Sequence, residues 1–185
     1  MPGRLDQDHE LIKKAQHGDC HAFGELYELH ASGIYRYLYA HLNDSMDAED
    51  LTGEVFLKAW QSLPKYTERG IPFRAFLNKI ARNALVDHYR RNNLTDPKAP
   101  DELDGYKADE NPEIGEIISE KVEHRRILHT LSQIRPDYRE VLTLRFIGEL
   151  SPEETARVMK RSTGAVRVLQ HRALAALREE LDKVG

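Results

Sequence analysis

Six basic side chains, with no acidic side chain among them, lie between Thr155 and Arg178 near the C-terminal end of the chain. They are Arg157, Lys160, Arg161, Arg167, Arg172 and Arg178. Such a run suits contacts with nucleic-acid phosphates, because each contact releases condensed counterions and raises affinity regardless of base sequence. The whole-chain net charge of −4 conceals this local excess. A solvated helical face can carry similar charge, so the charge alone leaves that alternative open.

A second basic run extends from Phe73 to Arg91, where five basic residues accompany a single acid, Asp87. Apolar side chains recur through this segment at helical spacing, which predicts one face in a core and an opposite face that is polar and basic. The inward positions are Phe73, Phe76, Leu77, Ile80 and Ala84. The chain therefore has two separate candidate surfaces for phosphate groups.

The C-terminal basic run lies on two helices that are predicted to form a helix-turn-helix. Ser151 is a suitable N-cap, Pro152 is preshaped for the first helical position, and Glu153 complements the positive end of the helix dipole. Ser162 is a second N-cap, one short helix further on. In this motif the second helix enters the major groove of DNA. The apolar contacts expected between the crossing helices come from Ala156, Met159, Val166 and Leu169.

Four further helices are predicted in the N-terminal half, and no segment shows the strict alternation of a β-strand. The first ends at Gly18, the third ends at Pro64, and the fourth reaches about Arg91. Their starts are predicted at Asp8, Asp19, Asp47 and Phe73.

A change in composition separates the two halves. Between Leu94 and Glu113 there are seven acidic residues, two lysines and three prolines. This composition buries too little apolar surface to offset the entropy of ordering, so we expect a flexible or extended acidic linker over residues 94–116. The predicted fold class is all-α, with helical domains at residues 1–93 and 117–185.

The third predicted helix carries an acidic stripe, Asp47, Asp50 and Glu54, beside the apolar residues Leu51 and Val55. We expect these two apolar side chains to be exposed. A mixed acidic and apolar surface suits a protein partner. Acidic residues near a helix N-terminus also stabilise the helix by themselves, and that alternative stays open.

The sequence gives no sign of a catalytic or metal centre. No nucleophile lies beside a plausible base and there is no glycine-rich phosphate loop, so we expect a non-enzyme without a cofactor. His17, Cys20 and His21 lie close together, but paired Cys-x-x-Cys and His-Glu-x-x-His motifs are missing. Solvated or helix-terminal histidines are therefore favoured over a zinc site.

Targeting signals are also missing from the sequence. Met1 to Asp6 lacks the apolar run of a signal peptide, and no stretch is long enough for a membrane span. The single cysteine excludes an internal disulfide, which fits a reducing compartment. We expect a cytoplasmic protein with no membrane contact of its own.

Three segments resemble the extracytoplasmic-function (ECF) sigma factors of RNA polymerase. Residues 47–60, DAEDLTGEVFLKAW, and 73–83, FRAFLNKIARN, are similar to sigma region two. Residues 131–146, LSQIRPDYREVLTLRF, running into the helix-turn-helix, are similar to region four. The segments follow the family's order and spacing and cover nearly all of the chain outside the linker.

The resemblance implies a fold, partners and site residues. The partners are core RNA polymerase, through its clamp helices and flap, promoter DNA, and an anti-sigma protein. The third helix would dock on the clamp helices through Asp47, Asp50, Leu51, Glu54 and Val55. The fourth helix and the loop before it would read and help to melt the minus-10 element through Tyr66, Arg74, Lys79, Arg82, Asn83 and Asp87. The recognition helix would read the minus-35 element through Thr163, Arg167, Val168, His171 and Arg172.

Four positions depart from the family's pattern. Gly53 replaces a usual glutamine, and Lys160 stands where the turn usually has glycine, so either the turn differs or a lysine adopts a positive φ. Leu169 and Gln170 replace a usual Arg-Leu pair in the recognition helix, so the promoter sequence does not transfer from other members.

An ordinary helix-turn-helix regulator that is not a polymerase subunit is the alternative function. The segment from Asp47 to Asn83 favours the sigma factor, because such a regulator has no need of it. We also expect the free chain to bind promoter DNA weakly, since its two tethered modules either pack together or lack the polymerase that sets their spacing.

Overall fold

The computed structural model describes residues 4–68, 71–95 and 118–184, and every regular element within these ranges is a helix. This confirms the predicted all-α class. A short 3₁₀ turn (Leu63–Lys65) follows the third helix, and one π-helical turn (Thr143–Ile147) follows the sixth. The helices are α1 (Arg4–Gln16), α2 (Cys20–Leu42), α3 (Ser45–Ser62), α4 (Phe73–Thr95), α5 (Ile118–Gln133), α6 (Pro136–Leu142), α7 (Pro152–Met159) and α8 (Thr163–Val184).

The limits of some helices differ from the prediction. Helix α4 continues to Thr95, so the first two residues of the predicted linker are helical. The predicted linker residues 96–116 lie outside the described residues. Helix α1 begins at Arg4, earlier than the predicted Asp8.

The N-terminal helices are positioned by local backbone signals that the sequence displays. Gly18 ends α1 with a φ of 92°, a conformation in which glycine avoids the steric cost of a side chain. The Asp19 carboxylate then accepts hydrogen bonds from the backbone N–H groups of His21 and Ala22, at 2.9 and 3.1 Å. This confirms Asp19 as the N-cap of α2.

Helices α2, α3 and α4 enclose the core of the N-terminal domain, and α1 packs on α2. Fully buried side chains from all three helices meet there, among them Leu26, Tyr37, Leu38, Val55 and Leu77. Each buried leucine or valine contributes about 1.5–3 kcal/mol by leaving water. The core therefore fixes the rotation of α3 and α4 and decides which of their residues face outward.

The C-terminal domain is a small bundle in which α6 and α7 pack on α8. Its core includes Val141, Leu144, Leu150 and Val166, all essentially inaccessible to solvent. Ser151 accepts a hydrogen bond from the Glu154 backbone N–H at 3.1 Å, and the Glu154 carboxylate accepts one from the Ser151 N–H at 2.8 Å. This reciprocal capping box confirms the predicted start of α7.

Lys160 makes the turn between α7 and α8 with a φ of 55°, in the left-handed region. Its backbone N–H donates to the carbonyl oxygens of Ala156 and Arg157, and the Arg161 N–H donates to Ala156 O at 2.9 Å. The turn therefore keeps its hydrogen bonds with a lysine where the resembling family usually has glycine.

The two domains are in contact. Helix α2 packs against α5 and the π-helical turn, and α4 packs against α7. Gly148 lies at this junction, where an added Cβ would be 2.8 Å from Leu144 O and 3.1 Å from Asn78 Oδ1. A side chain at position 148 would force the two domains apart or displace the π-helical turn.

Candidate nucleic-acid interface

The outward face of α8 collects the residues that the sequence predicts for minus-35 contacts. Ser162 Oγ accepts from the Ala165 backbone N–H at 3.1 Å and so caps the helix start, as predicted. Val166, Leu169 and Ala173 turn inward and fix the helix on the core. The remaining face exposes Arg167, Val168, His171 and Arg172, with Thr163 half-buried at the N-terminal end.

Arg167 on this face pairs with Glu153 of α7 at 3.2 Å, and both side chains are mainly exposed. Backbone hydrogen bonding at the start of α7 lowers the pKa of the Glu153 carboxyl, with smaller effects from Ser151 and Arg167. An exposed pair of this kind contributes little to stability and is screened by salt. Arg167 is therefore free to exchange Glu153 for a phosphate or a base edge.

Arg145 in the π-helical turn holds the recognition helix from behind, and the sequence analysis missed it. Its Nε donates to Gln170 Oε1 at 2.8 Å, and its Nη1 donates to the carbonyl oxygen of Leu150. Gln170 is thus engaged within the domain and Leu169 is buried. The two residues that depart from the family's Arg-Leu pair serve packing in this chain. The only sequence signal for Arg145 was its place in the segment resembling region four.

Helix α4 divides the six predicted minus-10 residues between different environments. Lys79, Asn83 and Asp87, each four residues apart, are exposed on one side of the helix. Arg74 and Arg82 lie on another side and face the C-terminal domain, with side chains 31% and 27% exposed. The structure therefore assembles three of the six on one open surface.

Tyr66, the sixth of these residues, is buried in the core at 8% exposure. Its ring contacts Phe73 and Phe76, and its hydroxyl donates to Ile71 O at 2.8 Å. Burial, reinforced by the nearby Glu68 carboxylate, raises the pKa of the Tyr66 hydroxyl well above its usual value. Here Tyr66 anchors the loop before α4 and does not present its ring to solvent. Residues 69 and 70 of this loop lie outside the described residues.

On α3 the expectation that Leu51 and Val55 are exposed is wrong. Both side chains are buried, at 2% and 0% exposure, because their spacing of four residues places them on the face packed against the core. Asp50 is exposed. The apolar groups that α3 exposes are instead Met46 and Leu57, at 73% and 57%.

The other two acids of the predicted stripe, Asp47 and Glu54, have basic residues of α4 as neighbours. Asp47 Oδ2 lies 3.5 Å from His88 Nε2, and Glu54 Oε2 lies 3.7 Å from Arg91 Nη2. These contacts leave Asp47 and Glu54 partly accessible beside Asp50, so the acidic stripe forms a continuous surface.

The histidines near the start of α2 have ordinary partners. His17 Nδ1 hydrogen-bonds with Lys13 O at 2.7 Å, His21 lies 3.3 Å from Glu25, and the Cys20 thiol donates to Gly18 O at 3.8 Å. Among the described residues, no three His, Cys, Asp or Glu side chains converge as a metal site would require. None of the helices in residues 4–68, 71–95 and 118–184 combines the length and apolarity of a membrane span.

Comparison with known proteins defines the class. Residues 26–95 match the family model of sigma-70 region 2, and residues 124–177 match that of sigma-70 region 4. The first match ends where α4 ends, and the second contains the helix-turn-helix. Sigma-70 proteins are transcription initiation factors that act with RNA polymerase.

The individual relatives narrow the family further. The ECF RNA polymerase sigma factor SigD of Mycobacterium tuberculosis is 36% identical over 98% of this chain and 86% of its own length. BldN of Streptomyces coelicolor is 36% identical over 91% of this chain, which spans 63% of BldN. A solved structure of CnrH in complex with the cytosolic domain of CnrY superposes with a TM-score of 0.73, at 26% identity, covering 97% of this chain and 100% of CnrH. The chain belongs to the ECF sigma factors of the sigma-70 family.

Proposed function

We propose that this chain binds core RNA polymerase and directs initiation at promoters whose minus-35 element α8 reads and whose minus-10 element α4 reads. It acts as a specificity subunit and not as an enzyme. The observation that carries the proposal is the outward row Arg167, Val168, His171 and Arg172 on a capped, firmly packed recognition helix. A helix in this position enters the major groove, where such side chains reach base edges.

The functional division follows the two helical bundles. The N-terminal domain, up to the end of α4, binds polymerase and the minus-10 element, and the domain from α5 onward binds the minus-35 element. On α4 the exposed side chains Lys79, Asn83 and Asp87 supply the polar contacts that an unstacked base requires. Tyr66 contributes by fixing the loop beside them.

Polymerase docks on the outer face of α3. The accessible acids Asp47, Asp50 and Glu54 form the charged part of this surface, and Met46 and Leu57 supply apolar contacts. Leu51 and Val55 do not contact polymerase directly. Their burial in the core fixes the rotation of α3 and so keeps its acidic side chains facing outward. An anti-sigma protein competes with polymerase for binding to this chain. This is in keeping with the complex that CnrH forms with the cytosolic domain of CnrY.

The test is run-off transcription with sigma-free core polymerase on a genomic DNA library, with and without the chain. New discrete start sites that share two upstream elements are expected. DNA binding by the chain alone, without new starts, would instead support an ordinary helix-turn-helix regulator.

Paired variants assign the surfaces. Arg172→Ala should reduce transcription from promoters by weakening recognition of the minus-35 element. Lys79→Ala should reduce it by weakening recognition of the minus-10 element. Lys183→Ala, which removes an exposed cation that pairs with Glu180 near the end of the same α8, is the matched control and should leave start sites unchanged. Equal losses in all three variants would contradict the assignment.

A further inference from the structure

Helix α1 lies before the segment that matches sigma-70 region 2, yet two of its polar side chains reach the connection between α3 and α4. His9 and Gln16 are seven residues apart, close to two helical turns, so they lie on the same side of α1, about 10 Å apart along its axis. Both contact the segment at residues 63–68. The buried apolar side of α1, which holds the helix on α2, consists of Leu11, Ile12 and Ala15.

Gln16 fixes the backbone at the point where the chain leaves α3. Its Nε2 donates to the carbonyl oxygen of Leu63 at 3.0 Å and to that of Tyr66 at 2.8 Å. These acceptors belong to the 3₁₀ turn and to the residue after it, 47 and 50 residues further along the chain. One amide group therefore uses both of its N–H bonds to hold this turn on α1.

His9 makes a second contact, two turns earlier on α1. Its Nδ1 pairs with the carboxylate of Glu68. The two side chains are 43% and 38% exposed, so the pair adds little to stability. It nevertheless sets where residue 68 lies relative to α1.

A third route runs through the core to the start of α4. Both carboxylate oxygens of Asp8 lie within 3.1 Å of His30 Nε2, and both side chains are buried. The ring of His30 meets that of Phe73, the first residue of α4, with centroids 5.5 Å apart. The Phe73 ring in turn contacts Tyr66, with centroids 5.8 Å apart. Helix α1 is thus tied to both ends of the connection between α3 and α4.

Tyr66 couples these contacts to one another. Its carbonyl oxygen accepts from Gln16, while its hydroxyl donates to Ile71 O at 2.8 Å. Because the ring is buried against other aromatic rings, it has no room to rotate separately from its backbone. A shift of the Tyr66 backbone therefore also moves the residues that lead into α4.

We propose that α1 positions residues 63–68, and with them the start of α4, for capture of an unstacked minus-10 base. Gln16 is the principal positioning residue and His9 a secondary one. They act through the connection between α3 and α4 and do not touch DNA themselves. This inference rests on the proposed function and adds to it a helix that lies outside the region 2 match.

Capture of a base depends on support of this kind. Removing a base from the stack costs free energy, which the protein recovers only through well-placed contacts. A segment that becomes ordered only on binding loses part of that recovery as conformational entropy. Contacts from α1 order the segment in advance, so the base meets a surface that is already formed.

The experiment uses holoenzyme assembled from core polymerase and the full chain, on a promoter found by the run-off reaction. Each base of the minus-10 element is varied in turn, and open-complex formation is followed through the permanganate reactivity of unpaired thymines. The ratio of rates for the preferred base and the other bases gives the discrimination at that position. The same ratios are measured for the minus-35 element.

Gln16→Met keeps the length and packing of the side chain but removes both donated hydrogen bonds. Discrimination should fall about tenfold at one minus-10 position, as expected for the loss of two hydrogen bonds. Discrimination in the minus-35 element and affinity for core polymerase should not change. The matched control is Gln61→Met, the same change at an exposed glutamine near the end of α3, and it should alter none of these quantities.

A general structural role for Gln16 would give a different pattern. An equal fall at every minus-10 position, or a fall in minus-35 discrimination, would overturn the positioning role, as would unchanged discrimination throughout. A promoter whose minus-10 segment is already unpaired by mismatches tests capture directly, and the defect should persist on it. Full recovery on this template would assign Gln16 to strand separation and overturn its role in capture.

His9→Ala and Glu68→Ala test the same role at partly exposed positions, and they remain informative if Gln16→Met fails to fold. Each should lower discrimination about two- to threefold at the minus-10 position that Gln16→Met affects. His9→Ala/Glu68→Ala should be no worse than either change alone, because all three remove one contact. Additive losses, or an effect at another minus-10 position, would contradict the shared role.

The run-off reaction of the wild-type chain separates this inference from the proposed function. New start sites together with unchanged discrimination in Gln16→Met would leave the sigma factor standing and remove the role of α1. A lack of new start sites would overturn both, since the positioning role requires a promoter that the chain reads.

Discussion

Arg82 and Glu140 form an ion pair 2.5 Å long that joins α4 of the N-terminal domain to α6 of the C-terminal domain, with side chains 27% and 18% exposed. Arg135 and Asp137 form a second pair, 3.0 Å long, whose arginine is 67% exposed. The first pair lies in a region of lower dielectric constant, so its attraction is stronger and less sensitive to salt.

A double-mutant cycle on Arg82→Ala and Glu140→Ala should give a coupling free energy of about 1–2 kcal/mol toward unfolding. Each single variant should cost at least as much, because it leaves the partner's charge partly buried. The same cycle on Arg135 and Asp137 should give less than about 0.5 kcal/mol, as exposed pairs do. Urea unfolding of both sets of variants measures the two coupling free energies. Equal values would show that water screens the ion pair at the domain junction as strongly as the pair on the surface.

Lys160 should be replaceable by glycine with a gain in stability. A residue with a side chain at a φ of 55° bears a steric cost of about 1 kcal/mol, which glycine avoids. Part of this gain in stability is offset because glycine makes the unfolded chain more flexible and so raises its entropy. Lys160→Gly should therefore raise the unfolding free energy by up to about 0.5 kcal/mol. Lys160→Val should lower it by about 1 kcal/mol or more, because a β-branched residue tolerates this region poorly. Thermal unfolding measures the stability of both variants. A Lys160→Val variant more stable than the wild type would contradict a positive φ at residue 160.

Local signals in the sequence predicted where α2, α7 and α8 begin, whereas α1 and α3 begin earlier than predicted, at Arg4 and Ser45. Asp19, Ser151 and Ser162 each accept the capping hydrogen bond that their position predicts. Such contacts involve residues two or three positions apart, so they depend little on the rest of the fold. The orientation of a whole helix depends on what packs against it, and this explains the error for Leu51 and Val55.

The domain junction could not be read from the sequence. Glu154 lies 80 residues from Arg74 in the chain, and each residue has a local explanation, as a helix cap and as a basic surface group. The pairing appears only when α7 packs on α4. Arg145 was missed for a related reason, because its partner Gln170 lies 25 residues away on another helix.

Acidification should open the domain junction through His41. Burial, together with the nearby guanidinium groups of Arg139 and Arg82, lowers the pKa of His41 from 6.5 to about 3. When the domains part, this pKa returns toward 6.5, so below that pH the open chain binds a proton that the closed chain excludes. The contribution of His41 to closure is therefore fully present above pH 6.5 and is lost as the pH falls toward 3, by up to about tenfold in the closed-to-open ratio per pH unit.

Small-angle X-ray scattering between pH 7.5 and 5.0 should show this expansion. The titratable and charged side chains around the imidazole are Tyr37, Arg82, Tyr89 and Arg139. Burial raises the pKa of the Tyr37 and Tyr89 hydroxyls above its usual value, so neither tyrosine titrates in this range. His41→Gln keeps a polar side chain without titration, and its radius of gyration should not change with pH. If the radius of this variant changes with pH as the wild-type radius does, a group other than His41 is responsible for the expansion.

Arg145 should position the recognition helix without contacting DNA. Its fork joins Gln170 of α8 to the backbone of Leu150, at the entrance to α7. Arg145→Lys keeps the charge but cannot make both contacts with the same geometry. Loss of a charge-assisted hydrogen bond of about 1.5–3 kcal/mol allows the helix to shift, so transcription from promoters that depend on the minus-35 element should fall about tenfold.

Non-additivity is the signature of this positioning role. Gln170→Ala should lower minus-35 discrimination to a similar degree, and Arg145→Lys/Gln170→Ala should be no worse than either change alone, because both remove one contact. The salt dependence of binding to duplex DNA should keep its slope in Arg145→Lys, since no phosphate contact is lost. A reduced slope would place Arg145 on the DNA itself. Additive losses in the double variant would show that Arg145 does not act through Gln170. Its contact with the carbonyl oxygen of Leu150 would then be the one that positions the helix.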